Sequence, residues 1–536
     1  MFIPRRSHLG RYRQIAVTSA THGLGFLVSE FGLGWMVPLH WGILGHPRRE
    51  APYTRPEHLR MALEELGVTF IKLGQVLSTR PDLLSSAYIA ELAKLRDSVP
   101  PVASDAIVKR VEEELGGPIG KWFSRFNPEA LASASIGQVH DAVLLTGEAV
   151  VVKVQKPGVE RQVEADLGIL TELAAQSARS TYGAMYDLPA LVDEFAWTLR
   201  EELDYVREGR NADLFRRNFA EQPWVRVPRV FWELTTSRVL TMERIDGIPI
   251  GQALAVGTIL DRKALATTTV EWILKQVFED GFFHADPHPG NFLLMEGDVL
   301  GVVDFGMVGR IDEDARYNLL RLVLALTQKD SWSIMDFMAQ LGIRGLAVNR
   351  AALGREIQRI VERYYGLELR EIRLTTLIED VMGMVRRHHL DMPAYLAVLL
   401  KTLTMHEGLA ERIDPHFRLA EILERYAQNT LTKIKTAEIW GKRLARGTVD
   451  AAALGTELPS ALRRILVLLE RGDLEVSLKH DELTHALKSF NSMLRRLTVA
   501  VLAGASVVAW ATLRRRENPG KNYSKETREQ RGRKKT

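Results

Sequence analysis

The stretch Phe282-Phe283-His284-Ala285-Asp286-Pro287-His288-Pro289-Gly290-Asn291, followed closely by Val302-Val303-Asp304-Phe305-Gly306, constrains this chain more than any other. Asn291 comes five residues after Asp286, and Asp304 thirteen residues after that. Between them, Phe292-Leu293-Leu294-Met295 and Val299-Leu300-Gly301-Val302-Val303 are apolar runs around a Glu296-Gly297-Asp298 turn, the pattern of a hairpin. Such a hairpin sets Asn291 and Asp304 at adjacent strand ends. Two oxygen-bearing side chains then converge on one hard cation, with the Asp286 carboxylate nearby.

Phosphoryl transfer needs this equipment. It uses a carboxylate beside the attacking hydroxyl or water, and oxygen ligands for a Mg²⁺ that neutralises charge on the phosphates. In the protein-kinase plan a carboxylate and an Asn five residues on share one loop, and a second Asp heads an Asp-Phe-Gly triplet. A lone triplet carries little meaning, but the three positions at this spacing do. The competing reading, His284 and His288 as a zinc pair, is disfavoured: Pro287 and Pro289 block the helix that would align them, and the chain has no cysteine.

At 536 residues the chain exceeds one ordinary core, so two or three units are expected. Without cysteine there are no disulfides or thiolate metal sites. Net charge is only +4, with the basic excess at the ends. Lys and Arg placed so favour anionic membrane surfaces over nucleic acid, because no stacking or groove-reading motif accompanies them. Leu497 to Leu513 is uncharged and flanked by Arg495-Arg496 and Arg514-Arg515-Arg516. As a helix it rises ~25 Å against a hydrocarbon core of ~30 Å, so it spans with snorkelling arginines or lies shallowly. No cleavable signal peptide is read at the start, and use of ATP places the body on the cytosolic side.

Taken in order, residues 1–50 form a basic and aromatic arm, with Arg5, Arg6, Arg11 and Arg13 followed by a run containing six glycines, Pro38, Trp35 and Trp41, suited to an interface. Residues 51–120 are a helical extension, in which Lys72 and Gln75 share a face, Lys72 by itself being an outward lysine. Residues 121–248 form a first lobe. It carries a loop of small side chains, Ala132-Ser133-Ala134-Ser135-Ile136-Gly137-Gln138, before the strand that starts at Val139, and such a loop lets backbone N–H groups approach phosphates. Lys153 lies in a valine strand on the face opposite Val150, Val152 and Val154, as a phosphate clamp would. One acidic helix over 190–211 carries Glu202, Asp204 and Glu208; Glu202 and Glu208, six apart, face different partners. The strand containing Met242 leads to a linker at Ile245-Asp246-Gly247, the place for adenine, and a long amphipathic helix over 259–281 delivers the catalytic loop. Residues 249–472 are a mainly helical second lobe, 473–496 a linker helix, 497–513 the membrane segment and 514–536 a basic disordered tail. Asp312 caps a helix soon after Gly306, leaving no room for a long activation segment.

Together these motifs resemble the UbiB family of atypical kinase-like proteins, the aarF-domain kinases, over roughly residues 55 to 324. Lys72-Leu73-Gly74-Gln75 is similar to the family's KxGQ motif, Ala132 to Gln138 with Val139 to its alanine-rich loop, Glu202-Leu203-Asp204 to its ExD motif, and His284 to Asn291 with Asp304-Phe305-Gly306 to its catalytic and metal motifs. The resemblance implies an α+β, protein-kinase-like bilobal fold with an N-terminal helical extension and a C-terminal membrane helix. It implies ATP and Mg²⁺ as cofactors, with Lys153 on the phosphates paired to Glu208, Met242 beside the nucleotide, Asp286 as base, Asn291 and Asp304 on the metal, and Lys72, Gln75, Glu202 and Asp204 as regulatory residues. The expected role is membrane-associated ATPase activity supporting isoprenoid quinone synthesis. The expected partners are membrane lipids, an isoprenoid quinone or its precursor, quinone-biosynthesis proteins and a second copy of the chain. Ser133 departs from the family's alanine, and one apolar C-terminal segment departs from its usual two. A nucleotide-switched scaffold without turnover and a small-molecule kinase are alternative readings of the same residues.

Overall fold

In the computed structural model, which describes residues 9–23, 53–78, 84–95, 100–177, 187–256, 261–328, 330–345, 349–364 and 373–434, the chain starts as helix α1 (Leu9–Thr21). Helices α2 (Arg55–Leu66), α3 (Val68–Leu77) and α4 (Ser86–Leu92) follow. The Thr54 hydroxyl and the Glu57 carboxylate cap α2 reciprocally, satisfying two orphan N–H groups. Gly67, at φ 90°, separates α2 from α3 within the helical extension expected over 51–120, because a side chain resists that backbone region. Helix α5 (Ser104–Leu115) leads into three strands, β1 (Phe123–Ser133), β2 (Gly137–Leu144) and β3 (Ala149–Gln155). Helices α6 (Val159–Ser177), α7 (Leu188–Glu202) and α8 (Tyr205–Asn218) come next, then β4 (Val225–Arg226) and β5 (Val239–Glu243).

The order β1-β2-β3-β5 makes one antiparallel sheet, with Val139 opposite Lys153 and Lys153 opposite Leu240. Alternation along β3 sends Val150, Val152 and Val154 into a core with Ile107 and Val111 of α5, and leaves Lys153 on the other face, toward α8. Two sequence expectations need correction here. Most of the small-residue loop is strand: Ala132 pairs with Val139 and Ser133 with Gln138, and the Ala134 N–H donates to Gly137 O at 2.8 Å, so the connection is a tight turn over 134–136. The single helix over 190–211 is two, because Asp204 caps α8 through the Val206 N–H at 3.0 Å while Leu203 O accepts the buried Gln155 amide at 3.1 Å.

The second lobe opens with β6 (Ile248–Pro249), α9 (Ile250–Val256) and α10 (Arg262–Lys275). The helix expected over 259–281 begins instead at Arg262, capped by Asp261. It is exposed only at its first turn and Glu271, so it is a core helix and not an amphipathic one. It runs through a π-turn, Gln276–Asp280, to Gly281 at φ 66°, and turns into β7 (Phe282–His284). The hairpin β8 (Phe292–Leu294) and β9 (Leu300–Val302) matches the sequence reading, with Gly297 and Asp298 at positive φ in its turn. Strand β10 (Val308–Arg310) pairs with β7, and the helices α11 (Glu313–Thr327), α12 (Ser331–Gln340), α13 (Arg350–Arg363), α14 (Leu374–Arg387), α15 (Ala394–Ile413) and α16 (Leu419–Ile434) complete it.

Among the described residues no helix is long and apolar enough to cross a membrane. The expected linker helix, membrane segment and tail after residue 472 lie outside them, as do Arg5, Arg6, Trp35 and Trp41. Arg11, read as part of an arm facing anionic surfaces, has an internal partner: its guanidinium grips the fully buried Asp166 at 2.7 and 2.8 Å and donates to Leu66 O at 2.7 Å. Asp166 also accepts the Thr69 hydroxyl at 2.8 Å, so α1 and α3 are fastened to α6 through one carboxylate. Arg11→Met would strand that charge, and a loss of about 3 kcal/mol is expected in urea unfolding of the full chain. A loss within the range of an exposed pair, under about 1 kcal/mol, would show the contact to be superficial.

Candidate nucleotide and phosphoryl-transfer site

The lobes meet around Lys153. Its Nζ lies 2.8 Å from both Glu208 oxygens and 3.5 Å from Asp304 Oδ2, over the Tyr205 ring at 5.3 Å. Burial alone would depress the Lys153 pKa; Asp304 and Glu208 outweigh it and hold the ammonium charged, well above its ordinary value. Enclosure would likewise raise Asp304, but Lys153 and the Gly306 N–H at 2.9 Å overcome it and hold the carboxyl at about 2. Tyr205 is raised by burial, so its phenol stays protonated. The Tyr205 ring also backs the nucleotide turn. A Cβ at Gly137 would lie 2.1 Å from its hydroxyl and 2.9 Å from Val154 O, so only glycine lets the turn close.

Asp304 is positioned from behind. Phe305 is fully buried and packs on Phe215 of α8 at 5.5 Å between ring centroids, while Asn211 donates to Phe305 O at 3.0 Å. His284, also fully buried, accepts the Asp286 N–H on Nδ1 at 3.3 Å and meets Asp304 O through Nε2 at 2.5 Å. An imidazole carrying its proton on Nε2 makes both bonds, so His284 ties the loops of Asp286 and Asp304 together; His288 Nδ1 accepts the Gly290 N–H. These local bonds, not a shared zinc, account for both histidines.

Asn291 donates Nδ2 to Asp286 O at 3.1 Å, and Val303 N donates to Asn291 O at 3.2 Å. Among the described residues the amide oxygen Oδ1 has no donor, at the strand end beside Asp304. The Asp304 carboxylate is 41% exposed to the cleft and ionised. Two hard oxygens without a third acidic ligand suit Mg²⁺, which completes its shell with phosphates and water; among the described residues no three acidic or histidine groups gather for a metal. The half-buried Asp286 carboxylate makes no hydrogen bond or ion pair among the described residues.

Lys72, expected to point outward from its helix, is buried and forms an ion pair with Glu202. It adds to the field that lowers Asp304, so α3 lies at the cleft. Glu202 and Glu208 thus take different lysines, and Gln75 reaches Leu95 O at 3.4 Å. Asp204 acts as a helix cap. Four nucleotide-contact expectations are modified. Gln138 turns its side chain toward Val102 N and His140, on the α5 side of the sheet, so only its backbone borders the turn. Ile136 and Ser135 are buried, Ile136 in the core. Met242 is buried between Val151 and Val230, which leaves the segment after it, Arg244 to Gly247, as the open link between lobes. Sequence reading missed Tyr205, Asn211 and Gln276, whose amide oxygen accepts the His284 N–H at 2.8 Å; none stands in a motif that signals a site.

A four-stranded sheet, a helix whose Glu pairs with the strand lysine, and the two loops that carry Asp286, Asn291 and Asp304 define a kinase-like protein. The model of the ABC1 atypical kinase-like domain matches residues 94–338, and that of the UbiB helical domain matches 357–418. An uncharacterized protein of Synechocystis is 33% identical over 95% of this chain and 90% of its own length. A probable protein kinase UbiB of Cellvibrio japonicus is 33% identical over 86% and 85%, and Protein ACTIVITY OF BC1 COMPLEX KINASE 8, chloroplastic, of Arabidopsis thaliana is 32% identical over 91% and 70%. Among solved structures, the Rv3197–erythromycin complex from Mycobacterium tuberculosis is 27% identical, covering 66% of this chain and 90% of that one at a TM-score of 0.48. The chain belongs to the ABC1/UbiB family of atypical kinase-like proteins.

Lys153→Met leaves Glu208 buried without its cation and is expected to cost about 3 kcal/mol in urea unfolding, whereas K153M combined with Glu208→Leu should recover part of that loss. Asp304 contributes through a folded pKa below its ordinary 3.8, so its stabilisation is complete above that value and disappears as pH falls toward 2. Stability measured between pH 4 and 2 is therefore expected to fall less steeply in Asp304→Asn than in the native chain.

Proposed function

We propose that the protein is a kinase-like ATPase that binds Mg-ATP in this cleft and acts at a membrane in isoprenoid quinone synthesis or lipid handling. The observation that carries the reading is the Lys153 ammonium held between Glu208 and Asp304, 3.5 Å from the latter. In this reading Lys153 binds the nucleotide phosphates, the backbone around Gly137 borders them, and Asn291 and Asp304 hold Mg²⁺. The metal supplies neutralisation of phosphate charge. Asp286, whose carboxylate is uncommitted, orients the attacking oxygen and takes its proton.

The chain passes from Gly306 to the Asp312 cap through β10 alone, and α3 lies at the cleft with its buried Lys72–Glu202 pair. Both features support a small or lipid acceptor, or water, over a docked protein. The uncharged stretch 497–513 between arginine clusters supports membrane attachment, and ATP use supports a cytosolic body. The same buried pair also favours a second reading, a scaffold in which nucleotide only shifts α3. Phosphate release by the full chain on liposomes distinguishes the two. Turnover that falls about 10²- to 10⁴-fold in Asp286→Ala and vanishes in Asp304→Asn is expected; nucleotide binding with no turnover in the native chain would leave the switch.

A further inference from the structure

Helix α15 is laid directly on the catalytic loop. Thr402 donates to Ala285 O at 3.4 Å inside the core, and His406 meets Phe292 edge-on at 5.9 Å. Leu396, Leu399 and Leu403 pack in the same core as Phe283, Ala285 and Phe305, which fixes the helix in rotation. Lys401, beside Thr402, is half-buried in this contact, and its ammonium lies within the field of Asp286. Among the described residues it makes no hydrogen bond and no ion pair. A lysine enclosed by protein with no counter-ion is costly unless an anion arrives to share the space. Burial accordingly pushes its pKa down, with Asp286 opposing.

The charge balance of the cleft bears on what that anion is. Lys153 is already shared by two carboxylates, so it has little positive field left for the far end of a triphosphate. With Asp286 as the base, that end comes beside its carboxylate, whose negative charge repels the phosphoryl oxygens. A cation near Asp286 offsets that repulsion, and Lys401, beside the Thr402 that contacts Ala285, is an ammonium that shares a field with Asp286.

We infer that Lys401 is a nucleotide-binding residue contributed by the helical domain, its ammonium receiving the γ-phosphoryl group of bound ATP beside Asp286. The inference rests on the ATP reading of the cleft and goes beyond it in assigning a helical-domain side chain to the terminal phosphate. ADP lacks that phosphate, so Lys401 serves ATP selectively. The test is binding of Mg-ATP and Mg-ADP to the full-length protein, read by displacement of a fluorescent nucleotide, for the native chain, Lys401→Met and Lys401→Gln. One charge-assisted hydrogen bond lost predicts ATP affinity down about tenfold or more in both variants, with ADP affinity within about twofold of native. Equal weakening of both nucleotides, or no change in either, would overturn the assignment while leaving the ATP site standing. A native chain that binds neither nucleotide would overturn both. Lys401→Gln keeps a polar tip in the enclosed position, so the comparison survives should Lys401→Met misfold.

Discussion

One ammonium shared by two carboxylates joins the halves of this molecule. Lys153 comes from the sheet, Glu208 from α8 and Asp304 from the loop after β9, and the three meet within 3.5 Å. Neither Lys153 nor Glu208 is tolerable in that enclosed position alone, since an unpaired buried charge costs several kcal/mol. The sheet, the helix and the second lobe must therefore arrive together. The Tyr205 ring beneath the ammonium and the Phe215–Phe305 contact make the arrangement rigid, because both ends of the ion cluster are anchored in packed aromatic core.

The rest of the architecture serves that meeting point. The π-turn after α10 and the left-handed Gly281 aim β7 so that His284 can reach both Asp286 and Asp304. The helical extension, in its turn, is fastened by Arg11, Asp166 and Thr69, and this fastening holds α3 where Lys72 meets Glu202. A basic residue of the first helix thus stabilises the position of a lysine at the cleft, through a carboxylate on a third element.

Much of this was legible locally. The hairpin over 292–303 followed from two apolar runs around a Gly-Asp turn, and the face of Lys153 from strand alternation, because both are set by neighbours two to ten residues away. That Glu202 and Glu208 would serve different partners followed from their spacing. Where local reading failed, a distant group had intervened. The helix over 190–211 breaks because Gln155, on β3, takes the carbonyl of Leu203. The loop over 132–138 becomes strand because β2 and β3 extend its pairing, and α10 loses its polar face because other helices surround it.

The sequence by itself determined which chemistry the chain can hold: the identities and order of Lys153, Glu208, Asp286, Asn291 and Asp304, whose motifs carry their spacing with them. Only the tertiary structure decided which charges are buried, and with whom. Arg11 and Lys72 read as surface cations because periodicity reports a helix face and not what covers it, yet both are enclosed and paired. Lys401 is the clearest case: nothing within its own helix marks it, and it acquires meaning from Asp286, more than a hundred residues earlier, which packing alone brings into its field.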